Sequence, residues 1–231
     1  MILTINTSTS QFALGIISED GVLISEYILP AIRLRSSFLM PSLDFVIRHS
    51  GIDKKELACI AVTIGPGSFT GLKVGLSVAK GICFSLDIPV IGISSLEALA
   101  IQLLGSEIPI TAIMDSRKRE YFVAQFVWHE DRLIQNAPDE YLSLEEFPER
   151  FKDKTIFIGN DYENQSCALR EVMGNDVLMA SSHLWHIRAS SIGMLAVERL
   201  KRDDFDDPLL LEPIYLRAPA IRPNPYHRLA N

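Results

Sequence analysis

The sequence predicts an α/β protein of two lobes, each a mixed β-sheet with flanking helices. Short apolar runs of strand length alternate with longer segments of helical period. The order strand-strand-strand-helix-strand-helix-strand-helix occurs twice, without residue-level identity between the halves, and 231 residues suffice for two lobes of roughly 100 residues each. We therefore expect an N-terminal lobe over residues 1–104, a C-terminal lobe over 105–207 and a proline-rich basic tail over 208–231.

The first lobe begins with three predicted strands, over residues 1–6, 12–18 and 22–29. A polar turn separates the first two, and the Asp20-Gly21 turn signal separates the second and third. Tight turns of this kind join antiparallel neighbours, so we expect a meander.

Residues 36–50 then change to helical period. One apolar face of this helix comprises Leu39, Leu43, Val46 and Ile47. Phe38 and Phe45 lie off that face, so the helix is predicted to be apolar on two sides. Next come a continuous apolar run at 58–64, typical of a buried parallel strand, a helix at 70–86, a strand at 89–93 and a helix reaching residue 104.

The second lobe repeats the order with looser spacing. Strands are predicted over residues 110–114, 121–128, 155–158 and 177–179, with a further strand starting at 132. Helices are predicted over residues 143–151, 163–173 and 190–201. Two such halves are similar to the architecture of the actin, sugar-kinase and Hsp70 ATPase (ASKHA) superfamily, where nucleotide lies between the lobes.

Charge and composition restrict the function. The net charge is −7, and no block of Lys and Arg is present, which speaks against a chain that binds nucleic acid unaided. Residues 1–6 lack the basic segment of a signal peptide, and no stretch reaches the ~18 uninterrupted apolar residues of a membrane span. We expect a soluble, cytoplasmic protein with no membrane contact. The three cysteines, without C-x-x-C spacing, are predicted to be buried hydrophobes: Cys59, Cys83 and Cys167.

A glycine-rich run at residues 65–71 joins a buried strand to a helix. Glycines allow close backbone approach, and N–H groups at a helix start suit an anion. The residues of this candidate phosphate loop are Gly65, Gly67, Ser68, Thr70 and Gly71. The spacing matches neither a Walker loop, nor a dinucleotide fingerprint, nor a nucleophile elbow. The run is therefore either a phosphate site or a structural tight turn.

Small residues form a stripe along the following helix: Gly71, Gly75, Ala79 and Cys83. Val78 and Ile82 flank the stripe. Glycine inside a helix costs about 0.5–1 kcal/mol relative to alanine, so close approach of another helix is expected in compensation. That helix is either the chain's own 36–50 segment or part of a partner that covers both helices.

Candidate catalytic groups are scarce. The five histidines show no H-x-x-x-H or H-E-x-x-H spacing, and the pair His183 and His186 flanks a tryptophan in a predicted loop. We predict neither a catalytic residue nor a metal site. Asn6 ends the first strand, where ATPases of this superfamily carry an acidic residue; it is either a solvated turn residue or part of a degenerate site. The charged turn at 115–121 is either a hairpin loop or a polar cluster facing the cleft.

Residues 65–75 read Gly-Pro-Gly-Ser-Phe-Thr-Gly-Leu-Lys-Val-Gly, which resembles the G-P-G-S-F-T-G-L-R-x-G signature of the TsaB (YeaZ) family. Weaker matches follow in the right order: residues 6–9 to D-T-S-T, 115–121 to D-A-R-R-x-E-V/A-Y, and 212–217 to the P-x-Y-L-R ending. Asn6 replaces the usual Asp, and Arg35 stands where the typical H-S-x-x-L-L-P has its histidine.

The resemblance implies a non-catalytic subunit in tRNA threonylcarbamoyladenosine synthesis. It implies a TsaD-like catalytic partner bound through the helices at 36–50 and 70–86, a TsaE-like ATPase in the complex, and tRNA contact only through the complex. No cofactor is expected on this chain alone, ATP and Mg²⁺ serving the wider complex, and an isolated chain can pair with itself. The expected interface comprises Leu39, Leu43, Val46, Ile47, Gly71, Gly75, Val78, Ala79 and Ile82.

Two other functions stay open. The first is an independent ATP-binding enzyme of the same superfamily, which turnover of Mg-ATP by the chain alone would establish. The second is a peptidase, since related sequences have carried a glycoprotease label; no metal motif or catalytic triad supports it.

Overall fold

The computed structural model describes residues 1–30, 38–117 and 119–216. The strands are β1 Ile2–Asn6, β2 Gln11–Ile17, β3 Leu23–Pro30, β4 Cys59–Gly65, β5 Val90–Ser94, β6 Ile110–Arg117, β7 Glu120–His129, β8 Arg132–Gln135, β9 Glu140–Ser143 and β10 Ile156–Ile158. The helices are α1 Leu39–His49, α2 Phe69–Leu86, α3 Ser95–Ala100, α4 Phe147–Arg150, α5 Tyr162–Met173 and α6 Ala189–Leu200. Arg35, the helix start predicted at 36–37 and the tail beyond 216 lie outside the described residues.

The first sheet has the strand order β3-β2-β1-β4-β5. β1, β2 and β3 pair antiparallel, which confirms the predicted meander, and β4 and β5 add in parallel. The apolar run of β4 is buried along almost its whole length because helices cover both of its faces. The carboxyl ends of β1 and β4 lie side by side, and this edge of the sheet carries the glycine-rich loop.

The second sheet has the order β10-β6-β7-β8, with β9 pairing to β7. The strand predicted at 177–179 is reduced to one bridge between Phe157 and Met179. The helix predicted at 143–151 is a 3-10 turn followed by the single turn α4. Its predicted capping box is present, since the Ser143 N–H donates to a Glu146 carboxylate oxygen at 2.7 Å.

The two sheets share one hydrophobic core. Helix α6, from the predicted second lobe, packs across β1, β2, β4 and β5, whereas α3, from the predicted first lobe, packs mainly on β6 and β7. Close contact between α6 and the first sheet is visible at Gly193, where an added Cβ would lie 1.8 Å from Ile17 Cδ1. The boundary at residue 104 stays a prediction, and each of the two predicted lobes contributes a helix that packs on the sheet of the other.

A second core cluster lies on the opposite face of the first sheet, beneath α1 and α2. The predicted inward face of α1 is confirmed, since Leu39, Leu43, Val46 and Ile47 are all buried there. The cysteine prediction is partly wrong. Cys59 and Cys83 are buried, but Cys167 is exposed because it lies on the outer face of α5.

Candidate functional site

Asn6 ends β1 as a buried hydrogen-bond acceptor. The side chain is fully buried, and its Oδ1 accepts from the Ser8 N–H at 3.0 Å, the Ser8 hydroxyl at 2.7 Å and the Thr63 hydroxyl at 3.1 Å. The interpretation of Asn6 as a solvated turn residue is wrong. Its amide oxygen instead ties the end of β1 to the neighbouring strand β4.

The glycine-rich loop folds onto the chain's own first turn. Gly65 and Gly67 have φ values of 118° and 155°, and an added Cβ on Gly67 would lie 2.3 Å from Ser8 O. The Ser68 N–H donates to the same Ser8 oxygen at 2.7 Å, and the Ser68 hydroxyl accepts from the Gly71 N–H at 3.2 Å as the N-cap of α2. Both N–H groups are therefore engaged within the chain. Anion binding at this loop stays a prediction.

The two glycines of the small-residue stripe, Gly71 and Gly75, face Thr7, whereas Ala79 and Cys83 belong to the core beneath α1 and α2. An added Cβ would lie 2.0 Å from Thr7 O at Gly71 and 2.1 Å from Thr7 Oγ1 at Gly75. The Thr7 hydroxyl in turn donates to Gly71 O at 2.7 Å. The glycines thus do not face α1, as one prediction had it, because the turn after β1 occupies the space beside them.

This packing places most residues of the predicted interface within the chain's own core. Leu39, Leu43, Val46 and Ile47 on α1, and Gly75 and Ala79 on α2, are all buried within the chain. A partner cannot contact them directly except where they border a surface groove, and a bulky residue at Gly75 would disturb the chain's own fold. Gly71, Val78 and Ile82 remain partly exposed. The interface itself stays a prediction.

An apolar groove separates α1 and α2. Its volume is about 400 Å³, and its floor and walls include Met40, Leu43 and Ile47 from α1 with Val78, Gly81 and Ile82 from α2. The space beside Gly81 is open, since an added Cβ there would meet no atom within 4 Å. The groove is lined by the same two helices that were predicted to bind a partner. Its lining residues overlap only in part with the predicted interface residues.

Large apolar side chains project from the same two helices. Met40 is 55% exposed, Phe45 45% and Phe84 60%. Within the described ranges, α2 is the one helix long and apolar enough to cross a membrane by length and composition alone, yet 28% of it is buried. Of its large apolar residues, Phe69 and Phe84 are exposed. The predicted interface did not include Met40, Gly81 or Phe84, although Met40 and Phe84 could be recognised as apolar residues off the buried face.

The charged turn at 115–121 is a β6–β7 hairpin, which confirms the simpler interpretation. Arg119, at φ 63°, donates to Glu145 and Glu171 of the same lobe. Burial, with the nearby carboxylate of Asp161, raises the pKa of Asp115 above its ordinary value. The turn is thus held by local ion pairs.

A second buried side-chain amide, that of Gln165, forms hydrogen bonds with the loop after β10. Gln165 Oε1 accepts from the N–H groups of Asn160 at 3.0 Å and Asp161 at 3.1 Å, and its Nε2 donates to Asn160 Oδ1. Its role resembles that of Asn6 in the first sheet. Its role could not be predicted, because a glutamine in a helix carries no distinctive sequence pattern.

The histidine pair flanks Trp185, within and after the 3-10 turn Ser182–Leu184, and the Trp185 ring packs against Gly159 in the loop after β10. Burial and the Arg188 charge lower the pKa of His186. Across residues 1–30, 38–117 and 119–216, no group of three or more His, Cys, Asp or Glu side chains is arranged to hold a metal ion.

The two-sheet fold is that of actin-like sugar kinases. It superposes on a putative N-acetylmannosamine kinase from Listeria monocytogenes with a TM-score of 0.50 at 9% identity, covering 88% of this chain and 99% of that one. A Pseudomonas aeruginosa protein described as similar to the peptidase YeaZ matches with a TM-score of 0.79 at 21% identity, covering 94% and 99%. At these identities the likeness shows the fold alone.

Sequence comparison identifies the family. The family model "TsaD: tRNA N6-adenosine threonylcarbamoyltransferase" matches residues 28–223. The tRNA threonylcarbamoyladenosine biosynthesis protein TsaB of Bacillus subtilis is 30% identical over 219 residues, which span 94% of this chain and 93% of that protein. The chain belongs to this group of TsaD-related proteins and, within it, to the TsaB family.

Proposed function

We propose that this chain is a non-catalytic subunit in tRNA threonylcarbamoyladenosine synthesis. It binds a TsaD-like catalytic subunit and supports the transfer of threonylcarbamoyl from its adenylate to N6 of an adenosine beside the tRNA anticodon. The groove between α1 and α2 carries the proposal, because it is apolar, open and bordered by exposed Met40. Family membership and the name of the Bacillus subtilis relative supply the pathway.

The non-catalytic part of the proposal is supported by the chemistry at the end of β1. Asn6 offers a neutral oxygen where superfamily ATPases offer a carboxylate, and three donors already occupy that oxygen. Asn6 does not fit the role of the carboxylate that commonly binds Mg²⁺ beside a phosphate, because its oxygen is neutral and already accepts three hydrogen bonds. ATP and Mg²⁺ accordingly act elsewhere in the complex, with a TsaE-like ATPase.

The remaining parts follow from charge and surface. With a net charge of −7, the chain contacts tRNA only through its partners, in the cytoplasm. In isolation, two copies cover each other's α1 and α2 and form a homodimer. Such an arrangement buries the same apolar side chains that the catalytic partner would cover.

The test compares two exposed methionines on different helices. Met40→Glu places a charge in the groove, whereas Met194→Glu places the same charge on α6, where Met194 is 39% exposed. Burying an unpaired carboxylate in an apolar interface is costly, so we expect Met40→Glu to weaken binding of the TsaD-like subunit at least about tenfold. Binding is measured by calorimetry and co-elution.

The Met194→Glu variant is expected to bind as the wild-type chain does. Wild-type affinity in Met40→Glu would refute the groove as the binding surface. Turnover of Mg-ATP by the isolated wild-type chain would favour the alternative, an independent ATP-binding enzyme of the same superfamily.

A further inference from the structure

A segment after α6 returns to the outer edge of the first sheet. This segment, residues 204–215, forms a C-terminal strap. At its start the Asp206 N–H donates to Val90 O at 3.0 Å, and the Gly92 N–H donates to Asp206 Oδ2 at 2.7 Å. Arg199 of α6 joins the two, donating to Gly92 O at 2.9 Å and lying 3.2 Å from the same Asp206 oxygen. The strap is therefore fixed to edge strand β5 at one end.

The middle of the strap has one buried and two exposed leucines. Leu211 is 9% exposed and belongs to the core beneath α1 and α2, whereas Leu209 and Leu210 are 74% and 76% exposed. Leu211 Cδ1 would lie 3.0 Å from a Cβ added to Gly92. Leu211 thus anchors the middle of the strap against the sheet, beside the polar contacts of Asp206 at its start.

The far end of the strap reaches the loop from which α2 starts. The Ile214 N–H donates to Ile64 O at 2.7 Å, and Ile214 O would lie 2.8 Å from a Cβ added to Gly65. One residue later, the rings of Tyr215 and Phe69 lie 5.3 Å apart, and Phe69 is the first residue of α2. The strap therefore supports the first turn of α2 from outside.

Thr7 and Ser8 support the same turn from within, through the contacts to Gly71 and Ser68. We propose that the C-terminal strap positions the first turn of α2, so that residues outside the groove control the geometry of one of its two walls. Its positioning residues are Leu211, through burial, and Tyr215, through the ring contact with Phe69. The link from this geometry to partner binding rests on the proposed function; the positioning of α2 does not.

The test is hydrogen exchange of the full-length chain, read at the amides of Gly71 and Leu72. Both amides are hydrogen-bonded in the first turn of α2, to Ser68 Oγ and Ser68 O. In Leu211→Ala and in Tyr215→Ala we expect their exchange to accelerate about three- to tenfold, while the β6–β7 amides keep their rates. Tyr215→Phe keeps the ring and is expected to restore wild-type rates.

Leu209→Ala is the matched control, because it truncates an exposed leucine of the same strap. Unchanged rates at Gly71 and Leu72 in both test variants would overturn the proposal. So would acceleration spread evenly over both sheets, which marks general destabilisation, or a failure of Tyr215→Phe to restore the rates.

The affinity for the TsaD-like subunit is measured on the same variants. If the strap variants show local acceleration and also bind more weakly, the strap acts on the partner surface through α2. If wild-type chain does not bind the subunit at all, the proposed function fails while the exchange result still decides the role of the strap.

Discussion

At the scale of single residues, Glu26 connects the first sheet to α6. Its carboxylate on β3 accepts from Arg188, from the Ser190 N–H at 2.9 Å and from the Ser190 hydroxyl at 3.1 Å. It thereby satisfies a free N–H in the first turn of α6, as an N-cap would, from a distant strand. Burial raises the pKa of Glu26, but the bonds from Arg188 and Ser190 outweigh it, and the net pKa lies below the ordinary value.

Replacing Glu26 by Gln is therefore expected to destabilise the chain by about 1–3 kcal/mol at neutral pH. Because the folded-state pKa is lowered, the ionised Glu26 stabilises the fold fully above the unfolded pKa of about 4.3 and loses this contribution as pH falls through the folded value. The difference in unfolding free energy between the wild-type chain and Glu26→Gln should therefore decrease as the pH falls below the unfolded pKa of Glu26. Urea unfolding at several pH values measures it, with Glu107→Gln, at an exposed residue, as the control.

At the scale of elements, Gly75 and Gly81, two of the three glycines of α2, have opposite surroundings. Gly75 is required, since its missing Cβ makes room for Thr7, whereas Gly81 faces open space beside the groove. Both glycines lie in the interior of an apolar helix, and the sequence alone does not distinguish their surroundings. The difference lies in which element approaches each one.

Gly81→Ala is expected to stabilise the isolated chain by about 0.5–1 kcal/mol, because it removes the entropic cost of a glycine inside a helix without a clash. Gly75→Ala should destabilise it, since the new Cβ would lie 2.1 Å from Thr7 Oγ1. Chemical unfolding of both variants measures the two effects. A loss of stability at Gly81 comparable to that at Gly75 would show that the space beside Gly81 is not open.

The elements were predictable to different degrees. The apolar run of β4 and the helical period of α2 gave their positions within one residue, because burial on both faces and a long apolar helix leave strong patterns. The buried face of α1 also followed from its spacing. The partner of the small-residue stripe did not follow, since small residues indicate a close approach without saying that Thr7, some 60 positions earlier, makes it. Asn6 was misjudged in part for the same reason: its partner Thr63 lies 57 residues away.

At the scale of the whole molecule, the two sheets share one core, which predicts that they unfold as one cooperative unit. The core between the sheets draws side chains from both sheets and from α3 and α6. Neither predicted lobe buries its inner face without a helix from the other. The boundary at residue 104 stays a prediction, and from the contacts of α3 and α6 across it we expect the two lobes not to fold independently.

We expect both sheets to unfold in one transition. Trp128 and Trp185 report on the second sheet by fluorescence, and the buried thiols of Cys59 and Cys83 report on the first by their reactivity. Burial raises the pKa of Cys59 to about 12 and that of Cys83 to about 11, so both react slowly while folded. Coincident midpoints in urea are expected, with exposed Cys167 reacting throughout; two separate midpoints would contradict the shared core.

The placement of α6 also bears on how this chain folds during its synthesis. β1 leaves the ribosome well before α6, the helix that covers its inner face, because α6 begins only at Ala189. At a translation rate of roughly 5–20 residues per second, the inner face of the meander stays uncovered by α6 for on the order of ten seconds or more. Nascent chains of this protein should therefore depend on chaperones that shield exposed apolar strands until α6 emerges.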